Sequence, residues 1–485
     1  MALVVVAVLG AACGSRVSPS RLATARQGQS VAARGVASTT GGSDTGAAGR
    51  GSASVTGSPA PAVASGIGSA SGSEAASVGS GNGPAPGTGA GGGLATALPA
   101  GGNGGATDVG VTATTITLGN VTTLSGPVPG VFEGAVIGTV AAAAYVNSLG
   151  GIYGRQLKVS SRDDQFDTGQ NRAVTIDLLD KVFAFAGSFS SYDDAAVNEI
   201  KSSGIVDASV SLSNARRAIA NNFSVAPGHK GWRTGPLNYF KKKFPNSVVK
   251  TGAIYYDIPS AKASYDGWKA AAESVGYKIT YERGISPTET DFTADVVRMR
   301  SSGVKLVYLT ALDYKATARL AKAIEQQNFA VDAFVSGGVA YDPNFVTFAG
   351  PAANGVYSEQ QMSMYNGEDV ALPEVNLFNQ WVSKIKPGYK PDLFAVYGWG
   401  SVRLLADALK ANGPKVTRAS VNDAIRKLGT YDIHGMIAPA NPGTKAPPTC
   451  YILVKINNGK FERYDSPPPA FRCADSGYYK VPGAP

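Results

Sequence analysis

The stretch "VFAFAGSFSSYDDAAVNEIKSSGIVDASVS", Val182–Ser211, decides how the rest of the chain is read. Its opening, "VFAFAGSF", is almost continuously apolar, as a strand buried on both faces of a parallel sheet should be. "DDAAVNEIKSSG" follows with helical character and a terminal glycine, and "IVDASVS" is a second strand-like run. Strand, helix and strand in this order form a βαβ unit, whose two strands lie parallel. The join also poses a chemical question. Ser188, Ser190 and Ser191 crowd behind Gly187, and Asp193 and Asp194 come next. They could be a nucleophile with its acid, or a cradle that only binds.

Outward from this unit, strand-like and helix-like stretches alternate from Thr115 onward. "TITLGNVT" alternates with period two, "GAVIGTVAAAAYVNSLG" is an Ala-rich helix ending at Gly150, "RQLKVSSRDD" is a strand and "GQNRAVTIDLLDK" a helix. The pattern then repeats. "GAIYYD", "SAKASYDGWKAAAESVG", "YKITYERG", "DFTADVVRMRSSG", "KLVYLTA", "DYKATARLAKAIEQQN" and "DAFVSGG" run strand, helix, strand, helix, strand, helix, strand. Helices are predicted over Pro373–Lys386, Phe394–Asn412 and Ser420–Leu428, and strands over "CYILVKI" and "KFERYD". This alternation implies α/β architecture, with parallel sheets carrying helices on both faces. Two successive sets imply two doubly wound lobes. Ligands of such sheets bind beyond the carboxyl ends of the strands, so two facing lobes place function in the cleft between them.

Catalytic chemistry lacks its parts. The two histidines, His229 and His434, fall where the chain is expected to cross between lobes, not in strand-to-helix loops. A serine nucleophile needs an imidazole within hydrogen-bond reach, and a His-based zinc site needs several converging ligands. "GSFSS" is not a nucleophile elbow, because Phe189 stands where that turn has its serine. No G-x-G-x-x-G or P-loop sequence opens a helix. Asp163–Asp164 and Asp193–Asp194 read as caps and surface charge, since adjacent carboxylates point apart on strands and helices. The expectation is a protein that is not an enzyme and has no metal and no cofactor.

Binding remains. At the end of a buried strand and the start of a helix, unpaired amides and the helix dipole favour an anion, and serine hydroxyls add donors. Ordinary N-capping by Ser191 or Asp193 is the alternative. "SVSLSNA" sets Ser209, Ser211 and Ser213 at the next strand end. Two serine-rich loops from adjacent strands favour a ligand over coincidence.

The ends of the chain carry other signals. "MALVVVAVLGAA" is too short to span a bilayer and suits the apolar core of a signal peptide. Cys13 directly follows, with Gly14 and Ser15, which resembles a bacterial lipoprotein signal; a buried or cleaved-off cysteine is the alternative. From Gly14 to about Asp108 the chain is almost entirely small residues, too poor in large apolar side chains to order itself. It reads as a flexible tether. The net charge of +9 comes without a long basic run, "KKKF" at Lys241–Phe244 being the densest. Nucleic-acid binding is not expected, because it needs a clustered patch. In an oxidising compartment Cys450 and Cys473 should pair.

"ITLGNVTTLSGPVPGVFEGAVIGTVAAAAYVNSLGGIYGRQLKVSSRDDQFD", Ile116–Asp167, resembles the opening of type I periplasmic substrate-binding proteins of the leucine/isoleucine/valine-binding group. Its strand, T/S-G-P loop, Gly-bearing helix, "N-x-x-GGI-x-GR" turn and "DDQ" carry the resemblance. "FAFAGSFSS", "GIVDASVSLSN" and "GVYSEQQ" extend it. The resemblance implies two Rossmann-like lobes joined by three crossings, residues 109–228 with 362–435 and residues 229–361 with 436–476. It places Ser190, Ser191, Ser211, Leu212 and Ser213 where the family holds a ligand's α-carboxylate, and Phe132 near the first-loop aromatic. Ser260, Asp313 and Tyr314 fall close to contacts from the second lobe. Gly338 occupies the place of the glutamate that holds an amino acid's ammonium; Asp313 or Asp342 could supply that charge, or the ligand lacks an ammonium.

These expectations describe an exported binding protein of an ABC importer, anchored through Cys13 at the outer face of a bacterial membrane. It would take a small amino acid-like, carboxylate or amide ligand and meet a membrane permease. The same fold reporting to a signalling partner is the alternative function, and an envelope enzyme would show itself by ligand turnover.

Overall fold

The computed structural model describes residues 96–483. Cys13 and most of the expected tether lie outside the described residues.

The first sheet contains β1 (Thr115–Thr122), β2 (Gln156–Asp163), β3 (Ala184–Ala186) and β4 (Val206–Ala208), all parallel in the order β2-β1-β3-β4. They alternate with α1 (Glu133–Ser148), α2 (Thr168–Leu179) and α3 (Val197–Ser203), and α4 (Asn214–Ala218) follows β4. The chain crosses through β5 (Gly231–Arg233) and α5 (Gly235–Lys243) into the second sheet. There β6 (Thr251–Tyr256), β7 (Ile279–Ile285), β8 (Leu306–Leu309), β9 (Ala333–Ser336) and β10 (Tyr357–Gln360) are parallel. They alternate with α6 (Pro259–Ser274), α7 (Thr293–Ser301), α8 (Tyr314–Gln326) and α9 (Pro343–Ala349). The chain then returns to the first lobe with α10 (Pro373–Ile385), α11 (Leu393–Asn412) and α12 (Arg418–Lys427). Val375, Phe378, Trp399 and Leu405 of this return share a core with Ile116 and Leu118 of β1.

The α/β class is as expected, but the second sheet is mixed. β11 (Ile452–Asn457) runs antiparallel to β10, and β12 (Lys460–Arg463) antiparallel to β11. The second of these pairings has a local reason. Asn458 and Gly459 join them with φ of 48° and 74°, the positive pair that a two-residue hairpin requires. β13 (Tyr478–Lys480) pairs antiparallel with β5 at the crossing, and the expected Cys450–Cys473 disulfide is formed.

Three boundaries differ from the sequence reading. Residues 96–108 are bound to the first lobe rather than tether. Arg155, fully buried, donates to the carbonyls of Asn103, Gly105, Thr112 and Pro414, and Asp108 accepts the Arg418 amide. The last predicted helix starts at Arg418 because Thr417 and Ser420 form a capping box ahead of it. The helix predicted at Asp193 begins only at Val197, after a turn over residues 191–196.

That turn exists because Asp193 points inward. It is 3% exposed and accepts the amides of Leu212 (2.7 Å) and Ser213 (3.0 Å) in the neighbouring loop. It is therefore neither a cap nor surface charge. Asp164 is likewise buried, accepting from Asn171 and Ser190. Gly187 fixes the other end of the turn. Its φ is +64°, and a Cβ there would meet Thr139 Oγ1 at 2.0 Å and Gly398 Cα at 3.0 Å. Helices α1 and α11 pack closely beside it, where a Cβ on Gly398 would meet the Ala135 carbonyl at 2.2 Å.

Candidate functional site

Between the two sheets lies a cavity of about 300 Å³, at the lower end of the roughly 300–1,000 Å³ typical of ligand pockets. The strand ends of both lobes wall it. From the first lobe come Phe132, Phe189, Ser191, Ser211 and Leu212, with Phe394 and Tyr397 of α11. From the second come Tyr256, Ser260, Thr310, Asp313 and Gly338. Arg233, Glu359 and Gln361 of the crossings form part of the lining.

The two serine loops divide their labour. Ser188 accepts the Val121 amide, and its own amide donates to Ser209 Oγ, so both residues tie β3 to its neighbours. Ser190 is 1% exposed and donates to Asp164 while accepting from Asn171 and the Tyr192 amide. Its hydroxyl is spent inside the lobe, and it is not among the cavity-lining residues. Ser213 caps α4 by accepting the Arg216 amide at 3.2 Å. Ser191, Ser211 and Leu212 do line the cavity; Ser211 Oγ accepts from Asn222 at 3.1 Å and keeps its proton to donate. Because α3 starts six residues after Ser191, the dipole of that helix does not serve these serines. What holds the loops in register is the Asp193 carboxylate between them. Burial raises its pKa, opposed by Arg216 and the hydrogen bonds it accepts.

In the second wall, Ser260 stands in the first turn of α6, with a buried hydroxyl lacking a protein partner. Asp313 caps α8 through the Ala316 amide (2.8 Å) and accepts the Tyr256 hydroxyl (2.9 Å). Burial, and then Asp313, raise the Tyr256 pKa, so that hydroxyl stays a donor. A second cavity of about 530 Å³ adjoins the first through Asp313, Val339, Leu393 and Phe394. Tyr314 and Asp342 line this outer space and not the inner one. Asp342 caps α9, and burial with Asp392 nearby pushes its pKa up to about 7.

Several lining residues escaped the sequence reading. Arg233 donates to Gln361 (2.7 Å) and Glu359 (3.1 Å), and Gln361 donates to the Tyr397 hydroxyl (3.1 Å). These side chains come from β5, from β10 and the residue after it, and from α11, so the network ties the crossings to the first lobe. The sequence placed a crossing near His229 and gave these side chains no role. Arg217 and Tyr478 also line the cavity. Trp232 Nε1, Arg233 Nε, Thr310 Oγ1 and Glu359 Oε1 are buried without protein partners, and buried polar atoms normally have them.

Neither histidine is in the lining; His434 sits 2.9 Å from Asp407, away from the cleft. Among the described residues no group of three or more His, Cys, Asp or Glu could hold a metal ion. No helix there is long and apolar enough to cross a membrane.

This architecture and cleft agree with the sequence comparison, in which a model of a periplasmic binding protein family matches residues 115–460. The chain belongs to that family. Among its relatives, the Leu/Ile/Val-binding protein homolog 1 of Brucella suis is 25% identical over 346 residues, covering 70% of this chain and 90% of that one. A Pseudomonas aeruginosa amino acid binding protein is 25% identical over 287 residues, covering 57% and 73%. The fold is shared with the fatty acid ABC transporter substrate-binding protein from Thermomonospora curvata (TM-score 0.64, 22% identity, 77% of this chain and 97% of that one). It is also shared with the isoleucine complex of the branched-chain amino acid binding protein LivJ from Streptococcus pneumoniae (0.58, 20%, 72% and 98%). The family match stops at residue 460, so the strand that carries Tyr478 lies outside it.

Proposed function

We propose that this protein is the extracytoplasmic solute receptor of an ABC importer, anchored through a lipidated Cys13, which takes up a small amino acid-like, carboxylate or amide ligand between its lobes. The observation that carries the reading is the cavity itself. It is walled by strand ends of two sheets, offers Ser191 and Ser211 as hydroxyl donors, and is lined by the aromatic rings of Phe132, Phe189 and Phe394. Relatives named for amino acid binding support it. Hydroxyl and guanidinium donors beside aromatic rings suit a cavity that holds and releases a solute.

A thermal-shift screen of the full chain against amino acids, organic acids and amides tests this. A ligand at 100 times its Kd adds about 2.7 kcal/mol of stability. Stabilisation by nucleotides or proteins alone would contradict the reading. For the anchor, Cys13→Ala should move the protein from the membrane fraction to the soluble fraction; unchanged membrane retention would count against lipidation. Co-purification with a permease favours transport, whereas co-purification with a signalling protein favours the sensory alternative.

A further inference from the structure

The charges around the inner cavity narrow its ligand further, provided the cleft is the solute site just proposed. Five charged side chains line it, Arg217, Lys230, Arg233, Asp313 and Glu359. Both carboxylates already accept hydrogen bonds. Glu359, fully buried, pairs with Arg233 at 3.1 Å. Asp313 is held by the Ala316 amide and the Tyr256 hydroxyl. The cations are not matched in the same way. Arg217 gives its Nε to the Ser211 carbonyl at 2.7 Å, and neither it nor Lys230 has a carboxylate partner among the described residues. Three cations against two carboxylates leave this lining with a net positive charge, and its one acid without a cationic partner, Asp313, already accepts a hydrogen bond at each oxygen. Arg217 also stands beside the two serines, on the element that follows the Ser211 loop.

Two further observations agree. Burial raises the pKa of Tyr397 and of Tyr478, and Arg217 and Arg233 oppose it at both, which sets both guanidiniums near the same pair of hydroxyls. Part of the inner wall is an aromatic cluster of tilted, edge-on rings. Phe189 meets Phe132 at 4.9 Å and Phe394 at 4.8 Å between ring centroids. At Gly338 a Cβ would meet nothing nearer than 3.8 Å, so the position tolerates a side chain's first carbon, and the sequence supplies no acid there.

We infer that the inner cavity takes a small organic acid with an apolar body and no ammonium group, its carboxylate held by Ser191, Ser211 and Arg217 and its body against Phe132, Phe189 and Phe394. A carboxylate completes charge-assisted hydrogen bonds to these donors. An ammonium on the neighbouring carbon adds positive charge to a lining that already carries three cations against two carboxylates, and selectivity follows from that repulsion as much as from the attraction.

Matched pairs separate the alternatives, because each differs only in the α-ammonium. We would titrate the full chain calorimetrically with 4-methylpentanoate against L-leucine, and with 3-phenylpropionate against L-phenylalanine. Each acid is expected to bind at least about tenfold tighter than its amino acid. Arg217→Gln is expected to raise the acid's Kd at least about tenfold, with Arg217→Lys recovering part of it and the melting curves unchanged. Amino acids binding as tightly as the acids, or tighter, overturn the inference while leaving the solute-receptor reading intact. An Arg217→Gln protein that folds and binds the acids normally overturns the placement of the carboxylate. No binding by any of the four at 10 mM overturns the inference, and the thermal-shift screen then decides separately whether the receptor reading falls with it.

Discussion

Ser190 and Ser191 are adjacent and do different work. Ser190 binds Asp164, Asn171 and the Tyr192 amide, whereas Ser191 faces the cavity. Ser190→Ala should therefore cost about 1–3 kcal/mol of stability and leave the Kd for 4-methylpentanoate within about twofold. Ser191→Ala should leave the melting temperature nearly unchanged, Ser211→Ala should lower it modestly through the lost Asn222 hydrogen bond, and each should weaken that acid by about 1.5–3 kcal/mol, the worth of a hydrogen bond to a charged group. Parallel calorimetry and thermal denaturation distinguish the two patterns; the reverse assignment would refute the division. Gly338→Glu should shift preference toward L-leucine by adding the missing carboxylate to an open wall. The residue types of the site were legible in the sequence, because serine-rich strand ends in a two-lobed α/β chain point to binding. Which serine serves the ligand was not, since that depends on Asp164 and Asn171, which reach the loop from elsewhere in the chain. Arg217 was hidden for a similar reason, as it reads as a helix-surface arginine until α4 is seen beside the cavity.

At the scale of elements, the loop after β3 depends on Gly187. Gly187→Ala should cost at least about 1–2 kcal/mol through its left-handed backbone alone, with more from the contact on Thr139, and should slow no binding step once folded. Chemical denaturation measures this; a neutral variant would mean that the loop has another way to fold. The segment after β12 is a strap. Disulfide Cys450–Cys473 fastens it, β13 pairs with β5, and Tyr478 donates to the His229 carbonyl while lining the cavity. Replacing both cysteines by serine should lower stability by about 3 kcal/mol, from a loop closed across 23 residues. Element order and type were readable from periodicity. Edges were not, because buried side chains such as Asp193, and partners far away such as Arg155 for residues 103–105, decide where a helix or a fold begins.

Across the whole molecule, two acids meet in the outer cavity from opposite lobes, Asp342 capping α9 and Asp392 capping α11. Burial is the main cause at both, raising Asp342 to about 7 and Asp392 to about 6. A carboxyl raised in the folded state holds its proton there at pH values where the unfolded chain has lost it. Stability should then fall as pH rises from about 4 to about 7 and level off above. Asp342→Asn keeps an oxygen for the cap and removes the charge. Its melting temperature should exceed that of the wild type at pH 8 and match it near pH 4; an equal gain at both values would rule out the charge as the cause. The two-lobed architecture was legible from the alternation of strands and helices, but the antiparallel return of β11 beside β10 was not, because about ninety residues separate the two strands. The most direct test of the central claim is a crystal structure of the protein grown with 4-methylpentanoate. The account expects one acid between the lobes, its carboxylate within about 2.7–3.2 Å of Ser191, Ser211 or Arg217 and its methyl groups against Phe132 and Phe394. An acid bound outside the cleft, or turned with its carboxylate away from those three residues, would contradict it.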